Sequence, residues 1–403
     1  MNIGIIGGGP AGIAAAITAH NNGANVTIIE HMSRIGKKLL LTGSGKCNIS
    51  NVDMDYSHFH SGNMEFVDSI FKECPPQETL SFLKSLGLLV KNRNGYIYPY
   101  SEQASSVLDI LRFALRDLEI SVKTDTSIKD IINRESKFIV RTSDEELIFD
   151  RIIMCCGSKS YKKTGSDGSG YDIAKHLGHT ITKISPALTY LNCEGDFWGS
   201  IAGIRTKAKI SLKDTNNCII GEETGELQIT KTGISGIPVF NLSHLVSGSL
   251  HSREIWANID FLPDYDVCEV YKMLAYRIEQ FPLRSSEELL TGVVNKNLGT
   301  FIIKKCGIKL NIKCSDIRRK DIDAVCKALK SFCVKVISTG DFDNAQVCKG
   351  GVDTSMVKST LESSIVSGLY FAGEILDVNG DCGGYNLTWA FCSGILAGRN
   401  CSI

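Results

Sequence analysis

The chain opens on the apolar run Ile3-Gly4-Ile5-Ile6, breaks into three glycines, and continues as "PAGIAAAITAHNN". The short run reads as a buried strand. Pro10 in the first turn and Gly23 past the end bound a helix, and "NVTIIE" returns as a second strand ending at Glu30. Residues 120–156 read as a strand, a three-strand meander ("SIKDIIN", "KFIVRT", "ELIFD") and a buried strand, "RIIMCCGS". Short strand-like runs then fill residues 188–262: "TKAKISL", "NCIIG", "LQITKTGISG" and "EIWANIDFL". From Asp264 to Phe332 the period becomes helical, over "DYDVCEVYKMLAYRIEQF", "SSEELLTGVVNKNLGTFIIKKC" and "RRKDIDAVCKALKSF". Asp264 and Ser285 are the expected N-caps. "VKVISTG" and "GLYFAGEI" read as strands again. Last comes the glycine-opened helix in "GDCGGYNLTWAFCSGILAG", whose Ala390, Gly394 and Ala397 form a small face suited to close helix packing. The order is that of an α/β protein.

Gly7-x-Gly9-x-x-Gly12 sits between the first strand and its helix, with an acid at the end of the second strand. Gly7 allows the tight turn, Gly9 lets a pyrophosphate approach, and Gly12 lets helix and strand pack closely. The helix N-terminus stabilises phosphate charge, and Glu30 accepts from ribose hydroxyls. Pro10 and Ala11 belong to the same turn. FAD and NAD share this fingerprint, so the far end of the chain decides. There Gly373-Glu374 ends a strand, and Gly383-Gly384 opens a helix. That arrangement suits a flavin. Glu374 can bond the ribityl chain, and the amides of Tyr385, Asn386 and Leu387 can face charge building at N1–C2=O. Backbone at Ser127 and Ile128 would meet the adenine, and Cys156-Gly157 would close over the cofactor.

"LTGSGKCNISN" imitates a nucleotide-triphosphate loop but fails its rule. The first glycine of Gly-x-x-x-x-Gly-Lys-Ser/Thr falls on Leu40, and the hydroxyl position is Cys47. Lys+Arg and Asp+Glu both total 44, so no basic surplus points to nucleic acid. No apolar run approaches the roughly 20 residues of a membrane span, and the N-terminus starts directly as a strand without a basic leader. A cytoplasmic protein without membrane insertion is expected. Its 403 residues predict two or three domains. The fifteen cysteines contain no Cys-x-x-Cys and no zinc spacing. They read as buried small hydrophobes, with no metal site and no redox disulfide.

The blocks "GGGPAG", "GKKLLLTGSGKCNISN", "TGSDGSGYDIAKHLGH", "GELQITKTGISGIP", "GGVDTSM" and "GLYFAGEILDVNGDCGGYNLTWAF" are spread over almost the whole chain. In them the chain resembles the YhiN/BaiN-like flavoproteins, FAD/NAD(P)-dependent oxidoreductases. The resemblance implies a glutathione-reductase-like, Rossmann-type FAD domain formed by residues 1–187 and 340–403. It also implies an inserted β-barrel at 188–263 and 332–339, and a helical subdomain at 264–331. It makes Thr42–Asn51 a flavin-side loop, where Gly43 and Gly45 lie against the cofactor, Lys46 balances anionic charge and Asn48 bonds a flavin edge. Lys38 joins the cofactor set. Lys46, Tyr385 and Lys231 are the expected catalytic groups, with Tyr161 a further substrate candidate; His244 and His251 read as ordinary helix or loop residues. The chain departs from the family at Cys155-Cys156-Gly157-Ser158, for Ala-Thr-Gly-Gly, and at Lys46, Lys231 and Lys162, where Arg, His and Pro are usual. Known family activities are reduction of conjugated C=C bonds in bile-acid intermediates and oxygen-linked oxidation of a small amino ketone. "GISGIPVF" favours a flat hydrophobic substrate, with NAD(P)H as a transient reductant because no second GxGxxG is present. The amine oxidase and a flavin sensor without turnover are the rival readings. Oligomeric state is left open.

Overall fold

The computed structural model describes residues 1–250 and 253–403, so His251 lies outside the described residues. The chain forms two compact units, Met1–Pro186 with Phe342–Ile403, and Ala187–Asp341.

The first unit is built on a five-stranded parallel sheet. Strand β1 (Asn2–Ile6) is central, flanked on one side by β2 (Asn25–Ile29) and Ser121–Lys123, and on the other by Arg151–Met154 and Leu369–Phe371. Its strands are short apolar runs because both faces are covered: Ile3, Ile5, Ile28, Ile152, Ile153 and Phe371 are fully buried. On one face, helix α1 (Pro10–Asn21) lies against the C-terminal helix (Tyr385–Cys401). The two backbones nearly touch. A Cβ on Gly394 would lie 2.3 Å from the Ala11 carbonyl oxygen, and one on Gly398 would lie 2.4 Å from that of Ala15. A three-stranded antiparallel meander, Ile128–Arg134, Lys137–Thr142 and Glu146–Phe149, follows the edge strand. Phe149 fills the space left by Gly4. Between β2 and Ser121 stand three helices that the sequence reading passed over: Met64–Glu73, Gln77–Ser85 and Ala104–Asp117.

The second unit is a closed six-stranded barrel in the order Leu191–Cys193, Gly233–Ser235, Ile219–Ile229, Arg205–Lys213, Ile255–Asp260 and Phe332–Thr339. "NCIIG" and "LQIT" prove to belong to one long strand. Alternate residues fill the interior, Ile210, Leu212, Leu227, Ala257 and Ile259 among them. Helices Val267–Gln280, Lys296–Lys305 and Arg319–Lys330 share the core of this barrel. The expected cap at Asp264 is corrected to Asp266, whose carboxylate accepts from Glu269 N at 2.7 Å while Glu269 reaches back. Asp264 instead pairs with Lys207. Ser285 caps a single 3₁₀ turn, and the helix after it starts separately on Asn295. The architecture is mixed α/β with a closed barrel inserted between the two halves of a Rossmann-type unit.

Candidate cofactor and active site

All three fingerprint glycines are present for different steric reasons. Gly7 has φ +105°, and a Cβ there would lie 2.5 Å from the Cys155 carbonyl oxygen. Gly12 crosses so close that a Cβ would be 2.0 Å from Gly7 O. Gly9 is the reverse case: nothing lies within 4 Å of its Cβ position, in front of the first turn of α1. That is the open approach a pyrophosphate needs. Gly8, outside the spacing rule, is excluded from carrying a side chain by Ile35, 2.4 Å away.

Glu30 is braced by backbone and stays partly exposed. Its Oε2 accepts from Gly8 N at 2.9 Å and its Oε1 from Met32 N at 2.8 Å. A carboxylate has about four acceptor sites, so two remain for a ribose diol. Behind it, Thr126 N donates to Glu30 O at 3.0 Å and Asp125 N to Met32 O at 3.1 Å. These bonds anchor the approach to Ile128, which opens the meander. Cys156 donates to Ile6 O at 3.6 Å. Burial first, and then the charges of Glu30 and Asp167, push its thiol up to about 12. It is a neutral, partly buried thiol and not a nucleophile. Gly157 beside it has φ +70°.

Glu374 and Lys38 form an ion pair at 2.6 Å, each side chain one-fifth exposed. Lys38 also donates to Ser160 Oγ at 2.7 Å, and Ser158 Oγ donates to Glu374 at 2.9 Å. Both serines are completely buried. Among the described hydrogen bonds Glu374 uses only Oε2, so Oε1 can accept from a ribityl hydroxyl. Sequence reasoning missed the two serines. Their signal was a Ser-x-Ser directly after a buried strand.

The 42–47 loop turns through left-handed residues Gly43, Ser44, Gly45 and Cys47. Gly43 has Asn48 N 2.9 Å from its Cβ position, while Gly45 faces open space. With its nitrogen toward the neighbouring carbonyls, Asn48 donates to Ser50 O at 3.0 Å and Ile97 O at 3.2 Å. Lys46 stands at the surface, its side chain 47% exposed and 3.6 Å from Glu102. Gly384, φ +97°, packs on the Ser50 backbone, which a Cβ would approach to 2.6 Å. Asn386 commits its side chain to the glycine turn: it accepts from Gly380 N at 2.8 Å and donates to Gly380 O and Asp381 O. Asn48 and Asn386 thus each brace neighbouring backbone with their side-chain amides. Tyr385 is buried and stacks on His58, centroids 4.4 Å apart. Burial, then Asp53 and Asp381, push its hydroxyl well above the ordinary tyrosine range. Leu387 follows, half-buried, in the first turn of the C-terminal helix, and Gly373, φ +78°, lies against Ala11.

Lys231 lies in the second unit, in an exposed turn of the barrel, so the three expected catalytic groups occupy a surface loop, a buried helix start and a separate unit. Tyr161, φ +59°, precedes a 3₁₀ turn. His244 bonds Asn241 O at 2.6 Å within its helix.

A second cluster went unread in the sequence. Asp381 receives His58 Nδ1 at 3.0 Å and His60 Nε2 at 2.8 Å, and His58 Nε2 reaches Asp53 at 3.3 Å. Burial opposes charge on His58, but the bonds to Asp381 and Asp53 outweigh it and raise its pKa above the ordinary histidine value. Its only trace was a His-x-His, with His58 ending a 3₁₀ turn and His60 in the two-residue strand that follows. Among the described residues no group of His, Cys, Asp and Glu could hold a metal, and no helix is long and apolar enough to cross a membrane.

These residues fit a flavin dinucleotide: an open helix N-terminus at Gly9 and spare acceptors on Glu30 and Glu374. The chain is 41% identical over 401 residues to the 3-dehydro-bile acid delta(4,6)-reductase of Clostridium scindens, covering 98% of both. It is 28% identical to the ribosomal RNA dihydrouridine synthase of Haemophilus influenzae, covering 96% of this chain and 95% of that one. In fold it is similar to the 3-ketosteroid-delta4-(5alpha)-dehydrogenase of Rhodococcus jostii RHA1, with a TM-score of 0.51 and 14% identity over 100% of this chain and 96% of the other. The profile of the HI0933-like protein Rossmann domain matches residues 1–400, and the chain belongs to that family.

Proposed function

We propose that this protein is an FAD-dependent oxidoreductase that reduces a C=C bond conjugated to the ketone of a steroid or bile-acid-like substrate. The observation that carries this reading is the 41% identity to the bile-acid reductase over 98% of both chains. When bound, FAD supplies hydride transfer to the substrate; the chain's own residues bind and orient. Glu30 holds the ribose end, the α1 amides and Gly9 receive the pyrophosphate, and Lys38 fixes the ribityl-binding Glu374 through their ion pair. The amides of Tyr385–Leu387 stabilise negative charge at the start of the C-terminal helix. Cys156 and Gly157 wall the site. With a single GxGxxG, already assigned to FAD, NAD(P)H serves as a reductant that docks transiently.

The test is the cofactor released on denaturation, then an anaerobic substrate screen. FAD is expected, reduced by NAD(P)H and reoxidised by an enone-bearing steroid. A colourless protein that binds Mg-ATP would overturn the cofactor, and rapid reduction by aminoacetone with peroxide formed in air would make the protein an amine oxidase. A flavin that photoreduces but accepts no substrate would make it a sensor. Formation of dihydrouridine in ribosomal RNA, with no response to enones, would place it with its 28%-identical relative. The equal numbers of acidic and basic residues weigh against that partner, because RNA affinity rests on a cationic surface.

A further inference from the structure

Glu102 stands in a left-handed turn at φ +52° and gathers three cations. Lys91 Nζ lies 2.8 Å from its carboxylate, Lys46 Nζ 3.6 Å and Arg93 Nη1 3.9 Å. Lys91 and Arg93 share one face of the strand Val90–Arg93. That strand pairs with Tyr96–Pro99, setting Lys91 opposite Tyr98 and Arg93 opposite Tyr96. The Tyr98 ring in turn lies 3.6 Å from the Cβ position of Gly43, so the patch borders the 42–47 loop. Tyr100, 61% exposed, steadies Lys91, whose Nζ lies 5.3 Å from the centre of its ring. Three positive charges thus meet one negative charge in the open, with the Arg93 side chain 59% exposed. Exposed ion pairs add little to stability, and like charges crowded around one carboxylate repel each other. The fold has no need of the second and third cations. Among the described residues the side chains of Lys46 and Arg93 make no hydrogen bond, which leaves their donors for a ligand.

We propose that Lys46, Lys91 and Arg93 form a phosphate-recognising patch that selects NADPH over NADH by binding its 2′-phosphate. The two reductants differ only in that monoester, which carries roughly −1.5 to −2 charge. The patch leaves a matching positive charge uncompensated, and a guanidinium with its donors free is well suited to a phosphate. The assignment rests on the reading above in which NAD(P)H reduces bound FAD. The single GxGxxG is taken by FAD there, so a transient reductant has to be recognised by exposed groups such as these.

Anaerobic stopped-flow reduction of the FAD-loaded protein gives an apparent dissociation constant for each nucleotide. Wild type is expected to bind NADPH about tenfold more tightly than NADH at low salt. That preference should fade as ionic strength rises from about 0.05 M to about 0.5 M. Lys91→Met combined with Arg93→Met is expected to bring the two constants together, whereas Lys91→Arg combined with Arg93→Lys keeps the charges and most of the preference. Adenosine 2′,5′-bisphosphate is expected to compete with NADPH, and AMP far less. Melting temperature and FAD content report folding of each variant separately from the ratio of constants. A wild type that binds both nucleotides equally would overturn the assignment, as would a double Met variant that keeps the preference. A ribosomal RNA fragment that displaces adenosine 2′,5′-bisphosphate at lower concentration than NADPH does would overturn it in favour of nucleic acid. Bound FAD that neither nucleotide reduces overturns the reductant reading and this assignment with it, and a protein that holds no FAD overturns the cofactor reading itself.

Discussion

Single residues in the fingerprint divide into those that build the turn and those that leave room. Gly9 leaves room: it has φ −81°, and its Cβ position is open. Gly9→Ala is therefore expected to change apo-protein stability by about 1 kcal/mol or less while abolishing FAD binding, because the methyl occupies the pyrophosphate approach. Thermal unfolding of the apo-protein beside a flavin titration checks both halves; a variant that still binds FAD normally would mean the phosphates lie elsewhere. Glu30 does both jobs, so its removal acts twice. Glu30→Ala deletes the ribose contact, roughly 1.5–3 kcal/mol for a charge-assisted bond, and also the two bonds that hold Gly8 and Met32. A rise of about ten- to a hundredfold in the FAD dissociation constant is expected, recovered at most in part by Glu30→Gln, whose single amide oxygen can keep only one of the two backbone bonds; an unchanged dissociation constant in folded Glu30→Ala would leave Glu30 a brace of the turn and nothing more. The sequence revealed Glu30's position by spacing from the glycines. It could not reveal that Lys46, next to a Gly-x-Gly, turns outward to Glu102, because the turning depends on a strand partner some fifty residues away.

At the scale of elements, the contact of α1 with the C-terminal helix sets how closely the fingerprint and the flavin-side motif can approach. Gly394→Ala places a methyl 2.3 Å from the Ala11 carbonyl oxygen. Ala is favoured over Gly in a helix by about 1 kcal/mol, but overpacking against backbone costs about 1–3 kcal/mol, so the clash is expected to win. The melting temperature should fall by a few degrees and FAD affinity should fall with it; a higher melting temperature would show that the helices separate freely. The clamp of His58 and His60 on Asp381 has a pH signature. His58 has its pKa raised in the fold, so the stability it contributes is fully present below the ordinary histidine value and is lost as pH rises through the raised value. The gap in melting temperature between wild type and Asp381→Asn is expected to be larger at pH 6 than at pH 8.5, and an equal gap would mean the clamp works through neutral hydrogen bonds alone. Elements with a local chemical reason were legible in the sequence: the glycine turns, the apolar parallel strands, the small-residue helix. The helices at 64–117 were not, since their amphipathic stripes sit in a stretch with no motif to draw attention. His58 with Asp381 and Lys38 with Glu374 were invisible for another reason. Each pairs residues more than 300 positions apart, and nothing in either local pattern names its partner.

On the scale of the whole molecule, the chain leaves a Rossmann-type unit at residue 186, completes a second unit, and returns at residue 342 to add the last strand and helix. The consequences for folding differ between the two. The first unit is discontinuous: Leu369–Phe371 pairs with Arg151–Met154, and the C-terminal helix covers α1, so it cannot finish until the end of the chain is available. Such long-range closure is slow. The second unit is contiguous over Ala187–Asp341, and its barrel closes on itself with no open edge. It buries its own core, from Ile210 and Leu227 in the barrel to Leu298 and Leu329 in the helices. At about 150 residues it is within the size at which a single core suffices. A fragment of residues 187–341 is therefore expected to fold alone, with a single cooperative unfolding transition and the circular dichroism of mixed helix and strand, and to bind no flavin. The complementary chain, with 187–341 replaced by a short flexible linker, is expected to retain FAD binding, since Gly9, Glu30, Lys38 and Glu374 all belong to the first unit. A fragment that is unfolded in isolation would show that the barrel depends on the Rossmann-type unit for its stability, and a linker chain that folds without binding FAD would show that the second unit supplies part of the cofactor site.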